Sequence, residues 1–242
     1  SLPNQVKIHD FLRCLSTCHT VLRESDGTYR AESPDELALV RDTEKMGCAV
    51  ITRGTTEMRC NIFGRGEMFE VLACNAFNSD RKRSSLLLKN GSDYYVMCKG
   101  ADNIMIPLCN TTSGDREWIE QSLLDLACMG LRTLVIAQKK ISATDAEKWL
   151  SEFHAAAASM TDREGMLAKC GKDLEQNLEF LGITAIEDKL QDQVPEVIAD
   201  LAKAGIVVWM LTGDKEQTAI NIGRSCNLVL EDTKLFMLSG LK

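Results

Sequence analysis

The sequence predicts an α/β protein: an α+β portion with helices flanking an antiparallel sheet, followed by a partial Rossmann-like βαβα segment. Three observations carry this. Between Cys48 and Cys98 short β-branched, aromatic and sulfur runs alternate with turn residues, among them Asn90-Gly91 between Ser85–Lys89 and Tyr94–Cys98, as in an antiparallel meander. On both sides of this stretch apolar residues recur at helical spacing between capping residues. After Leu178 apolar strands alternate with helices, the pattern of a parallel sheet.

Taken in order, Val6, Ile8, Phe11, Leu12, Leu15 and Cys18 place an amphipathic helix from Asn4 to about Val21. Ser33, Pro34 and Glu36 supply an N-cap, a first-turn proline and a capping-box acid for a helix from Pro34 to Met46, stopped at Gly47. Beyond the meander, helices are expected at Asp102 to Cys109 and Asp115 to Met129, the latter closed by Gly130, then a strand from Thr133 to Ala137. Ser142 to Ala158 reads as a helix, and the polar stretch to Asn177 as a helix or a surface connection. The final segment predicts a strand (Phe180 to Ile186), a helix (Gln193 to Ala204), a strand (Ile206 to Leu211) and a helix (Lys215 to Cys226). This divides the chain into a domain at 1–181 and a partial one at 182–242, because a complete doubly wound domain needs more strands.

A length of 242 residues suits one large domain plus part of another. With 45% hydrophobic and 26% charged residues, the composition excludes a disordered chain. A net charge of −7 argues against unspecific attraction to nucleic acid or to an anionic membrane. The longest strictly apolar stretch lies within Gly205 to Leu211, well short of the ~20 residues of a spanning helix. This stretch of protein therefore reads as soluble, without a signal peptide. Ten cysteines are scattered without a C-x-x-C pair; Cys14, Cys18 and His19 come nearest to a metal cluster, and without a second ligand pair they read as buried helix-face residues. No metal site is predicted.

Several groups could carry chemistry, and each has a plainer reading. Thr212-Gly213-Asp214 puts a hydroxyl, a glycine and an acid beyond a strand end, where helix N–H groups can meet a phosphate; it could equally be a helix cap. Asp188, in Glu187-Asp188-Lys189, fits a solvated turn as well as a site. Phe77 stands before Ser79 and the triplet Arg81-Lys82-Arg83, an aromatic face for a purine beside cations for its phosphates, or a core residue beside an exposed charge run. Lys99-Gly100 follows a strand, so that Lys99 projects from the sheet rim. Arg132 marks the entry of another strand, and Glu36 already has a use as a capping acid.

The order and wording of these groups add what none gives alone. S-P-D-E at Ser33, F-N-S-D-R-K-R at Phe77, K-G-A-D at Lys99, G-L-R-T-L at Gly130, E-D-K-L-Q-D-Q-V-P at Glu187 and L-T-G-D-K at Leu211 resemble the successive nucleotide-binding and phosphorylation-domain motifs of P-type ATPases. E-D-K-L-Q-D-Q and T-G-D-K resemble the type IV, phospholipid-translocating members. The resemblance implies that Phe77 stacks on the adenine of ATP, Glu36 meets its exocyclic amine and Lys99 lines the pocket. It implies that Lys82 and Arg132 approach ribose and phosphates, with Ser79 as a polar neighbour. Thr212, Gly213 and Asp214 would face the terminal phosphate and its Mg2+, and Asp188 would lie near the ribose at the hinge between domains.

The sequence departs from the family wording at Leu37, where a small residue is usual after S-P-D-E, and at Ser84, where methionine usually follows the basic triplet. Neither D-K-T-G-T, whose aspartate accepts the phosphoryl group, nor the G-D-G-x-N-D magnesium motif occurs. The resemblance thus implies the cytosolic, ATP-binding part of a multi-pass membrane enzyme, itself without catalytic residues. Its expected partners are ATP, the remaining domains of the same pump and an accessory membrane subunit, with phospholipid met only through a membrane domain and no nucleic acid. Two other readings are a haloacid-dehalogenase-type phosphatase, which needs a D-x-D nucleophile that the sequence lacks near its start, and a non-catalytic ATP-sensing or partner-binding module.

Overall fold

A computed structural model describes residues 2–187, 190–213, 216–230 and 232–238. Helix α1 (Leu2–Thr17) is followed by a small ladder, β1 (Leu22–Arg23) with β2 (Tyr29–Arg30), and by α2 (Pro34–Lys45). An antiparallel meander follows: β3 (Cys48–Arg53), β4 (Glu57–Ile62), β5 (Arg65–Asn75), β6 (Arg83–Asn90) and β7 (Asp93–Gly100). Then come α3 (Asp102–Met105) with a 3-10 turn, α4 (Ser113–Cys128), β8 (Leu131–Ile141), α5 (Ala143–Ala157), α6 (Arg163–Leu174) and β9 (Glu179–Glu187), and finally α7 (Val194–Lys203) and α8 (Glu216–Ser225). Strands β3 to β9 form one seven-stranded sheet in sequence order. No helix among the described residues is long and apolar enough to cross a membrane.

The meander forms where the turn chemistry predicts it, shifted by one residue. Asn90 pairs with Asp93 as the last rung of β6 and β7, so the two-residue turn is Gly91-Ser92, with Gly91 at φ 60°, the first central position of a hairpin turn that favours glycine. In β4 the burial alternates strictly, with Met58, Cys60 and Ile62 inward.

Two compact units are distinguished, Ser1–Ile119 with Leu134–Thr184, and Glu120–Thr133 with Ala185–Lys242. In the first, α1 and the residue that follows it lay Leu12, Cys14, Leu15 and Cys18 on the sheet face that carries Phe69, Leu86, Leu88, Met97 and Ile136. Each fully buried large side chain of this kind stabilises the fold by about 1.5–3 kcal/mol. Strand alternation turns Ser85, Leu87, Val96 and Cys98 to the other face, on the side of α5 and α6. There the Trp149 indole donates to the Cys170 carbonyl at 2.9 Å and stacks on Phe153 at 4.9 Å between centroids. The polar stretch before Asn177 is a helix, α6.

One expected element is absent. Ile206 to Leu211, expected as a strand, has no strand structure, and Val207, Trp209 and Leu211 are 77%, 81% and 92% exposed. An apolar run becomes a strand only when a neighbour completes its hydrogen-bond ladder, and among the described residues none pairs with it. The preceding run, Phe180 to Ile186, does form a strand; it is β9, beside β8 in the same sheet as the meander. In the second unit Asn221 of α8 donates to the Cys128 carbonyl at 3.0 Å.

Candidate nucleotide-binding site

Helix α2 begins as its sequence dictates. The Ser33 hydroxyl accepts from the Glu36 N–H at 3.3 Å, and Pro34 occupies the first turn. The reciprocal half of the capping box is not made. Glu36 instead turns both carboxylate oxygens to other partners: Oε2 accepts from the N–H and hydroxyl of Thr20 at 2.9 and 2.7 Å, and Oε1 accepts from Lys99 Nζ at 2.6 Å. The structure therefore joins two of the predicted site residues directly. Lys99 stands near the end of β7, opposite Ser84 of β6 and Ile136 of β8, on the same sheet face as Met97, by strand alternation. Its side chain is 8% exposed and that of Glu36 16%.

Burial alone would raise the Glu36 carboxyl, but the Lys99 ammonium and the Thr20 donors outweigh it and hold the group below the usual carboxylate range. A carboxylate offers about four lone-pair directions; three donors use three, so one remains on Oε1. Beneath this pair, burial first, then Lys99 and Arg53, lower the His19 imidazole to about 3. The neutral ring is held in one tautomer: Nδ1 accepts from the Val21 N–H at 3.1 Å and Nε2 donates to the Ser16 carbonyl at 3.0 Å. Burial pushes the Cys18 thiol up to about 12, and it donates to the Met97 carbonyl while Cys14 donates to that of Ala137. These three residues thus serve as hydrogen-bonding core groups.

The loop between β5 and β6 carries the next candidates. Phe77 is 63% exposed, too exposed for the core reading, and Ser79 is exposed as well. The basic triplet divides. Arg81 and Arg83 both pair with the fully buried carboxylate of Glu175, Arg83 Nε at 2.6 Å. Lys82 between them is exposed, at φ 51°. The loop is tied to the end of β7, where the Ala101 N–H donates to the Lys82 carbonyl at 2.9 Å. Gly100 makes this approach feasible, since a Cβ there would lie 2.4 Å from Arg83 Cβ and 2.7 Å from the Lys82 oxygen.

The departures from the family wording have local explanations. Leu37 packs with Val21, Val40 and Val50 in a small cluster under α2, and Ser84 sits opposite Lys99 in the sheet. The other candidates lie elsewhere. Arg132, half-buried at the start of β8, belongs to the second unit, as do Thr212 and Gly213, both exposed and outside regular structure. Asp188 and Asp214 lie outside the described residues. A cavity of about 440 Å3 opens on β3 to β5, lined in part by Ile51, Arg59, Gly64, Glu67 and Met68, and none of the candidates lines it. Sequence reading did not single out Thr20, His19 as a ring beneath the pair, or Glu175; only their contacts across the fold reveal them.

This sheet, with its acid–lysine pair and aromatic loop at one rim, matches the family model of the P-type ATPase cytoplasmic domain N over residues 7–193, and the chain belongs to the P-type ATPases. Among the proteins it resembles are phospholipid-transporting ATPases. It is 39% identical to a phospholipid-transporting ATPase of Schizosaccharomyces pombe over 98% of this chain and 19% of that protein. It is 41% identical to phospholipid-transporting ATPase DRS2 of Saccharomyces cerevisiae over 96% of this chain and 18% of that protein. To human phospholipid-transporting ATPase IC it is 39% identical over 95% of this chain and 19% of that one. The chain thus spans less than a fifth of the length of each of these relatives.

Proposed function

We propose that this chain is the ATP-binding part of an ATP-driven phospholipid translocase, holding adenine in the first unit and presenting the γ-phosphate to an aspartate that its own sequence does not contain. The observation that carries the reading is the Lys99–Glu36 pair at the end of β7, with one acceptor direction left on Glu36. An adenine amine can donate there, while a guanine would present a carbonyl to the same carboxylate. Phe77, exposed on the neighbouring loop, offers the stacking face, and Lys82 a cation for ribose or phosphate. Ser79 is a polar neighbour, Arg132 a second cation, and Thr212, Gly213 and Asp214 belong with the terminal phosphate, Asp188 with the ribose.

Among the described residues no group of three carboxylate, thiol or imidazole side chains is placed to hold a metal, so no step is assigned to Mg2+; it would come with the nucleotide's phosphates. In the whole pump the part would work in the cytosol, attached to a multi-pass membrane domain that selects the phospholipid and to any accessory membrane subunit. Phosphoryl transfer relies on positioning and charge neutralisation, so a part that only binds and delivers ATP is sufficient for its share of the cycle.

Calorimetric titration with ATP and GTP tests this. ATP should bind weakly, on the order of 0.1–1 mM, and more tightly than GTP. Phe77→Ala should weaken ATP by about 5- to 150-fold, as loss of base–aromatic stacking predicts. Equal affinity for both nucleotides, or an unchanged Kd in folded Phe77→Ala, overturns the assignment.

A further inference from the structure

We propose that Glu175 is a positioning residue for nucleotide binding: by clamping Arg81 and Arg83 on the sheet face opposite the Glu36–Lys99 pair, it sets the loop that displays Phe77 and Lys82. This rests on the nucleotide reading above.

The carboxylate is 0% exposed, and one charge removed that far from water is tolerated only with close partners. Glu175 has three: Oε1 accepts from Arg81 and, at 2.6 Å, from the Ser85 hydroxyl, and Oε2 accepts from Arg83 Nε at 2.6 Å. Ser85 in turn accepts from Asn75 Nδ2 at 3.0 Å, so the network grips the last residue of β5 and the first residues of β6, the two ends of the loop. Glu175 is also the C-cap residue of α6, its N–H donating to the Gly171 carbonyl at 3.1 Å, so its carboxylate stands at the helix end where the dipole disfavours negative charge. Its placement therefore depends on the two guanidiniums. One turn earlier on the same helix face, Gly171 lets α6 approach, since a Cβ there would be 3.2 Å from the Arg81 guanidinium and 3.5 Å from the Asn75 amide.

The consequence is a division of labour within three consecutive cations. Arg81 and Arg83 share the one buried carboxylate on one side, and Lys82, exposed between them, is left to meet a ligand. Inside the loop the Arg81 N–H donates to Asn78 Oδ1 and the Lys82 N–H to the Asn78 carbonyl at 2.7 and 2.8 Å. Fixing Arg81 thereby fixes the turn directly after Phe77.

The test is a double-mutant cycle on this chain, read by ATP affinity, with limited trypsin cleavage after Lys82 as a readout that needs no nucleotide. Glu175→Gln, compared at a temperature where both proteins are folded, should weaken ATP about tenfold and speed cleavage. In a Phe77→Ala background the same change should cost clearly less than in the wild-type chain, because only Lys82 is left for it to position. If Glu175→Gln does not fold, Arg83→Lys, which keeps the charge and loses the fork, is taken through the same cycle and should behave likewise. Unchanged affinity in the folded variant, or equal losses with and without Phe77, overturns the proposal. Should the wild-type chain bind no ATP, the nucleotide reading fails by itself, and the cleavage rate still decides whether Glu175 holds the loop.

Discussion

Lys99 Nζ lies 2.6 Å from Glu36 Oε1, joining residues 63 positions apart where the end of β7 meets the first turn of α2. The pair is a structural tie and is proposed above as a recognition element, and the two roles separate experimentally. Lys99→Met should destabilise the chain by roughly 2–4 kcal/mol, since removing one partner leaves a largely buried charge alone. Adding Glu36→Gln should recover much of the stability without restoring ATP binding, which chemical denaturation beside calorimetry can check. Recovery of both would mean that the pair has no part in recognition.

His19 sets a pH dependence. Its folded-state value of about 3 lies below the ordinary 6.5, so between these values the unfolded chain takes up a proton that the folded chain refuses. Stability should thus fall as pH drops from about 6.5 towards 3, with a contribution of up to about 1.4 kcal/mol per pH unit. His19→Asn, which keeps an acceptor for the Val21 N–H, should flatten that slope in urea titrations at pH 5 and 7. An unaltered slope would show that other groups govern the acid limb.

Gly100→Ala should be costly despite its small size. The new methyl would meet Arg83 Cβ and the Lys82 carbonyl, backbone-anchored atoms that cannot swing aside. A loss of about 1–3 kcal/mol is expected, together with weaker ATP binding because the loop must lift from β7. A thermal melt like that of the wild type would be incompatible with the close approach described.

Thiol reactivity offers a map of the site. Of ten free cysteines only Cys74 and Cys128 are exposed. Cys74, though exposed as a residue, lies three residues before Phe77 with its thiol partly shielded from water and raised for that reason, so a thiol reagent should modify it slowly at neutral pH. Saturating ATP should slow the reaction at Cys74 further and leave Cys128 unaffected, as peptide mapping would reveal. Equal protection of both, or of neither, would place the nucleotide elsewhere.

What could be read from the sequence was what short-range chemistry decides. The Ser33 cap, the α2 boundaries and the β6–β7 hairpin depend on residues within a turn of each other, and the structure has them within a residue or two. The motif order identified the family because wording survives where geometry is invisible. Glu175 escaped notice because its partners are 90 to 94 residues away, and nothing near it in the chain distinguishes it from a surface acid. Ile206 to Leu211 was misjudged for the opposite reason: its local composition is strand-like, and only a neighbouring strand could have realised it.

The indole of Trp149, held between α5 and the Cys170 carbonyl, has an optical consequence. It is 7% exposed, whereas Trp118 and Trp209, the other two tryptophans, are 64% and 81% exposed. Acrylamide will therefore darken two emitters and leave a residual blue-shifted fluorescence that belongs almost wholly to one ring. That ring sits on the α5–α6 side, only five residues along the chain from Cys170 to Glu175, so the quencher-resistant light is a native dye for the clamp and is blind to events on the opposite face of the sheet.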